Sequence, residues 1–243
     1  MGFSMQKHYK LLIFDADHTL LDYLADERAA FVALYDELSY PQTDELLAFS
    51  RYASESTWTE AGMYDVHDKN VQQNYHRVYR EHVTGIFEKI FAKFGAPETK
   101  LSAQTAGEKF LQYLERKGAL FSGARETLVA LSKRYKICIA TNGISPIQRG
   151  RLSELKPFVA ELYISEEVGA IKPLPAYFQK ICREQGVLPS ECLMIGDSLS
   201  SDVAGAKAVG MDSCWYNPRS EKNSTPFTPN FEIKTLQELQ TLL

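Results

Sequence analysis

The chain has 243 residues, 44% hydrophobic and 24% charged, which is enough to bury a sizeable core in one large domain or two smaller ones. Its net charge of −4, with both signs interspersed, excludes a basic field for nucleic acid polymers, and no apolar run approaches the ~18 residues of a membrane span. With no signal-peptide pattern and four cysteines in no metal-type spacing, these features imply a cytoplasmic protein whose thiols are free and buried. The opening MGFSM reads as a remnant ahead of a natural start at Met5.

Lys10 to Leu21 reads KLLIFDADHTLL. The apolar run Leu11 to Phe14, closed by polar residues, predicts a strand buried on both faces of a parallel sheet. Asp15 and Asp17 then fall at its C-terminal end, where open α/β sheets bind ligands, with Thr19 two positions on. Two carboxylates sent toward one site repel each other unless a cation or a shared proton intervenes. Alone, the same spacing also suits a strand followed by an Asx turn.

From Asp22 to Gly118 the pattern is helical. Phe31, Leu34, Tyr35 and Leu38 form one apolar stripe ahead of Pro41, and Leu46, Leu47 and Phe49 form a second. A long stripe runs from Val71 to Phe94 and stops at Gly95 and Pro97, and Ser102 caps a helix carrying Phe110, Leu111 and Leu114. Four helices without a strand between them predict a small bundle inserted after the first strand.

Beyond Phe121 helices and strands alternate. Strands are predicted at Lys136 to Ala140, Glu161 to Ile164, Glu191 to Ile195 and Ser213 to Tyr216. Helices are predicted at Ala124 to Tyr135, from Ser145, at Ala176 to Gln185, at Asp202 to Val209 and at Thr235 to Leu243. The fold class is therefore α/β: a doubly wound parallel-sheet core, residues 1–21 and 119–243, with a helical-bundle cap at 22–118.

The polar residues at the strand ends form one set. Asp15, Asp17, Thr141, Asn142 and Asp197 lie where strands hand over to loops, and Lys172 stands before Pro173. Such a crevice can hold a hard divalent cation through oxygen ligands, Mg²⁺ being the best match, and a phosphate through donors. Singly, Thr141-Asn142 also fits a turn, Lys172 a solvated lysine and Asp202 a helix N-cap.

The ordered motifs DADHT (15–19), TNG (141–143), KP (172–173) and GDSLSSD (196–202) resemble those of the haloacid dehalogenase superfamily of phosphatases, over nearly the whole core. The inserted helices match that family's cap. TNGISPIQRGRL, ISEEVGAIKP, AKAVGM and SCWYN are most similar to bacterial nucleoside 5′-monophosphatases. His18 departs from the pattern, since many relatives carry glycine there.

The resemblance implies a Mg²⁺-dependent phosphomonoester hydrolase, with a nucleoside monophosphate as its small-molecule partner and a monomer or homodimer as its state. Asp15 would attack phosphorus to give an aspartyl-phosphate, and Asp17 would act as general acid and then base, which asks for a raised pKa. Asp15, the Asp17 carbonyl and Asp197 would ligate the metal. Lys172, Thr141 and the Asn142 backbone amide would hold the phosphate. Asp202, Ser198 and Thr19 would support them from behind. Asp17 also favours phosphoester over carbon–halogen cleavage, because an alkoxide leaving group needs a proton. A sugar phosphate or phosphoglycolate is the alternative substrate, and a non-catalytic phosphate- or partner-binding module the alternative class. Trp58, Tyr64 and His67, in the least regular part of the cap, are candidates either to stack on a base or simply to pack or face solvent. His8, His76 and His82 are expected on the surface or on helix faces.

Overall fold

The run after Lys10 forms β1 (Leu11–Phe14), with all four side chains fully buried in the computed structural model, which describes residues 8–243. The reading of Met5 as a start lies outside these residues. At roughly 1.5–3 kcal/mol for each large apolar side chain withdrawn from water, this one strand anchors the sheet. Five more strands follow: β2 (Lys136–Thr141), β3 (Glu161–Ile164), β4 (Cys192–Gly196), β5 (Asp212–Tyr216) and β6 (Phe231–Ile233). Every neighbouring pair is parallel, in the order β3-β2-β1-β4-β5-β6. The chain thus has the doubly wound, Rossmann-like architecture expected of it. β6 was not predicted, because three residues with an exposed Glu232 after a polar loop carry almost no pattern.

The helices are, in order, α1 (Tyr23–Glu37), α2 (Asp44–Glu60), α3 (Lys69–Phe94), α4 (Ala103–Leu114), α5 (Ala124–Leu131), α6 (Ser145–Arg151), α7 (Ser165–Val168), α8 (Pro175–Gln185), α9 (Ala204–Ala208) and α10 (Leu239–Leu242). Two compact units result. One holds the residues through Leu20 with Leu120–Asn142 and Leu155–Leu243; the other holds Leu21–Ala119 and Gly143–Glu154.

In the sheet unit, Leu11 and Ile13 of β1 join Ala140, Met194, Phe178 and Ile181 in the core beneath α8. Leu12 and Phe14 alternate to the opposite face. Phe14 pairs with Ile139 of β2 on one side and Ile195 of β4 on the other, so Asp15 leaves the sheet level with Gly196. The strand order reverses at β1, which makes its C-terminal end the switch point at which ligands bind in such sheets.

The helical unit is built on α1 to α4, each of α1 to α4 opened by a side-chain cap from Asp22, Thr43, Asp68 or Ser102. Phe31, Phe87 and Phe110 pack together at centroid distances of 4.6–6.0 Å. Residues 143–154, which the sequence reading kept with the core, are grouped here for a specific reason. Arg151, 1% exposed, donates Nε to Asp26 Oδ2 at 2.8 Å, while Asp26 Oδ1 accepts the Ala119 N–H at 2.6 Å. One buried carboxylate so ties α1, the end of the insertion and α6 together.

His82 is not at the surface: it is 6% exposed between α2 and α3, with Nδ1 2.7 Å from Thr57 Oγ1 and its ring edge-on to Trp58. Its place in the apolar stripe of α3, one of the two positions expected of it, accounts for this burial. Burial pulls its pKa down from 6.5 to about 4. A depressed histidine stabilises the fold fully above pH 6.5, and the contribution is lost as pH falls through 6.5 toward 4, because the unfolded chain takes up the proton first. The full loss is about 3 kcal/mol. Urea unfolding at the two ends of this window is expected to show wild type losing that much more stability on acidification than His82→Gln. Parallel losses would refute the assignment.

Candidate active site

Where β1 stops pairing, the chain turns. The N–H groups of Thr19 and Leu20 both donate to Ala16 O, at 3.3 and 2.8 Å, and His18 adopts φ 63°. That left-handed backbone costs a non-glycine residue roughly 1–2 kcal/mol, a cost glycine would not carry at this turn. The turn buries Asp15, leaves Asp17 half-buried, and points the Thr19 hydroxyl back at Asp15 Oδ2, 3.3 Å away. Thr19 Oγ1 in turn accepts the Asp197 N–H at 3.0 Å, joining the ends of β1 and β4.

Lys172 is 2% exposed. Its backbone is clasped by the Asn142 side chain, which accepts its N–H at 2.8 Å and donates to its carbonyl at 3.0 Å. Its Nζ then reaches Asp15 Oδ1 at 2.5 Å, Asp202 Oδ1 at 2.7 Å and the Ala140 carbonyl at 2.9 Å, three acceptors for three ammonium protons. Burial alone would lower the lysine's pKa, but the Asp15 and Asp202 charges hold it well above its ordinary value, so the amine is charged. Asp202 uses its second oxygen to accept the Ser198 N–H at 3.2 Å, and Ser198 caps the next turn by accepting the Ser201 N–H. A Cβ on Gly196 would lie 2.1 Å from Asp202 Oδ2, so this close approach requires glycine.

Carboxylate oxygens of Asp15, Asp197 and Asp202 lie within 4.8 Å of one another. Burial pushes Asp197 well above the usual carboxylate range, and the charges of Asp15 and Asp202 add to it. Asp15 is raised by burial too, against the pull of Lys172 and with the push of Asp202 and Asp17. Three carboxylates facing one ammonium make a set of hard oxygen donors short of positive charge, which fits a divalent cation.

The structure therefore brings Asp15, Thr19, Asn142, Lys172, Asp197, Ser198 and Asp202 into one hydrogen-bonded group at the sheet edge. Thr141 ends β2 beside it, and Asp17 sits on the same turn as Asp15. Two contributors were not read from sequence. Trp215 Nε1 donates to the Asp197 carbonyl at 2.8 Å, and Tyr177 lies fully buried with its hydroxyl near the end of β2. In the helical unit, Trp58 packs edge-on to Tyr75, Tyr79 and His82, whereas Tyr64 and His67 are exposed. No helix among the described residues is long and apolar enough to cross a membrane.

The pyrimidine 5′-nucleotidase PynA of Streptococcus pneumoniae is 32% identical over 235 residues, 95% of this chain and 93% of that protein. The pyrimidine 5′-nucleotidase YjjG of Escherichia coli is 36% identical over 124 residues, 50% of this chain and 55% of that protein. The magnesium-bound crystal structure of the HAD-hydrolase YfnB from Bacillus subtilis superposes with a TM-score of 0.81 at 28% identity, covering 97% of this chain and 99% of that one. The family model for haloacid dehalogenase-like hydrolases matches residues 9–210, and the chain belongs to that hydrolase family.

Proposed function

We propose that the protein is a Mg²⁺-dependent 5′-nucleotidase that dephosphorylates pyrimidine nucleoside monophosphates through an aspartyl-phosphate on Asp15, with residues 22–118 serving as the cap. The observation that carries this reading is the cluster of the Asp15, Asp197 and Asp202 carboxylates at the C-terminal edge of the sheet, with the Lys172 ammonium bonded to Asp15 and Asp202. The nucleotide leaving group rests on the likeness to PynA and YjjG.

Lys172 and Thr19 each hold one Asp15 oxygen, so the carboxylate is oriented before substrate arrives. Asp15 attacks phosphorus in line and the phosphoryl group moves to its oxygen, while Asp17 gives a proton to the departing nucleoside 5′-oxygen. Asp17 then takes a proton from the water that attacks phosphorus and frees Asp15. The Thr141 hydroxyl and the Asn142 N–H hold phosphate oxygens, and the Lys172 ammonium offsets their charge. Asp202, buried against Lys172 and Ser198, keeps the lysine in place. Asp15, Asp197 and the Asp17 carbonyl would hold Mg²⁺, which when bound supplies the charge that screens an anionic nucleophile from an anionic phosphate.

A panel of phosphomonoesters, assayed for phosphate release with and without EDTA, tests the reading. Pyrimidine nucleoside 5′-monophosphates are expected to give the highest kcat/KM, and EDTA to abolish release. Faster turnover of a sugar phosphate or phosphoglycolate would replace the substrate, and an isomerised product without phosphate release would indicate a mutase. No release at all with Mg²⁺ present would leave a binding module.

A further inference from the structure

We propose that Tyr177 is a positioning residue of the phosphate-holding edge: its buried hydroxyl fixes the end of β2 so that the Asn142 N–H is aimed at the phosphate. This rests on the reading that Thr141 and Asn142 hold phosphate.

Tyr177 stands in the first turn of α8, five residues after Lys172, and is fully buried among Cys138, Ala140, Tyr163 and Phe178. A phenylalanine would fill the same apolar space, and a phenol placed there must find an acceptor or its desolvation goes uncompensated. It finds two. The hydroxyl donates to the Tyr163 carbonyl at 2.5 Å, and shares a longer bond at 3.4 Å with the Thr141 carbonyl. Burial raises the phenol's pKa far above its ordinary value, which keeps it a donor at any working pH.

The consequence lies in the peptide that follows Thr141. In a planar trans peptide the C=O and the next N–H point in opposite directions. Thr141 closes β2 in register with Ile164 of β3, and the Tyr177 hydroxyl, bonded to the Tyr163 carbonyl and reaching the Thr141 carbonyl, braces that last pair, so the Asn142 N–H is held toward the opposite, open side. The Asn142 side chain does not compete for this task, since both ends of its amide are bonded to the Lys172 backbone. Tyr177 thus couples the ends of β2 and β3 to the first turn of α8, directly after the segment that presents Lys172.

Tyr177→Phe keeps the ring and removes only the hydroxyl. Its KM for a phosphomonoester and its inhibition constant for inorganic phosphate are expected to rise together by about tenfold, with kcat within about twofold, the pattern of lost binding common to ground and transition states. Tyr35→Phe serves as a structural control, because it deletes the phenol that meets Ser50 in the helical unit. It is expected to lower the melting temperature without moving either phosphate constant. Both variants are assayed well below their melting temperatures, and phosphate-induced thermal shifts give the same constant where turnover is weak. An unchanged phosphate constant in Tyr177→Phe, or an equal rise in Tyr35→Phe, would overturn the inference. Failure of the parent protein itself to release or bind phosphate would instead sink the phosphatase reading.

Discussion

Asp15→Asn is expected to lower phosphate release by at least about 10⁴-fold while leaving the protein folded. Asparagine has nearly the volume of aspartate; its oxygen can still accept from Lys172, and its NH2 group can donate to Thr19 Oγ1 in place of the bond that Asp15 Oδ2 accepted, so both contacts have successors. What disappears is the anionic oxygen that bonds to phosphorus. Stability at neutral pH should change little. The substitution removes a buried carboxylate whose charge is unfavourable where it sits, and this offsets the weaker bond to the lysine. Phosphate release assayed beside thermal unfolding separates these effects. A variant within tenfold of wild-type turnover would contradict the role given to Asp15.

Lys172→Met carries the second large effect, and it acts on stability and activity at once. Methionine fills much of the channel but leaves Asp15, Asp202 and the Ala140 carbonyl without the ammonium they share. Removing one partner from a buried ion network costs about 3–5 kcal/mol, because the remaining charges stay desolvated. Loss of a cation facing the transferring phosphoryl group is expected to lower kcat/KM by a further factor on the order of 10³. The pH dependence has a definite sign. Asp15 and Asp197 have folded pKa values above the ordinary 3.8, so stability is fully present below that value and falls as pH rises through their raised values. Without the lysine they rise further. The stability gap between variant and wild type should therefore be widest at neutral pH and narrow on acidification, the reverse of the His82 contribution. Urea unfolding across that range, with and without a divalent salt, measures it. A pH-independent gap that divalent ions fail to narrow would contradict the account.

Much of the site was legible because strand ends carry it. LLIF, KICIA and CLMI are short apolar runs whose only plausible places are central parallel strands, so the polar residues closing them had to share an edge. The order β3-β2-β1-β4-β5-β6 puts β2 and β4 on either side of β1 and so makes their ends neighbours. Less legible was the reason each residue is held. Asn142 was read through its backbone amide, yet its side chain clasps Lys172, a contact across 30 residues that no local pattern encodes. Trp215 and Tyr177 read as apolar strand and helix residues, and only their single polar atoms reach the site. The stretch after Asp197 was predicted as a helix from Asp202. Instead Leu199–Val203 form a widened turn before α9, because Asp202 is drawn inward to Lys172 across Gly196. His82 lies on a helix face as expected, and its place in the apolar stripe of α3 buries it.

The most direct test is to trap the enzyme during turnover of a pyrimidine nucleoside monophosphate with Mg²⁺ and reduce it with borohydride, which converts an aspartyl-phosphate to homoserine. Peptide mass spectrometry is predicted to find homoserine at position 15, in proportion to the enzyme in turnover, and unmodified aspartate there when substrate is left out. Full turnover with Asp15 unmodified, or homoserine at another carboxylate, would contradict the account.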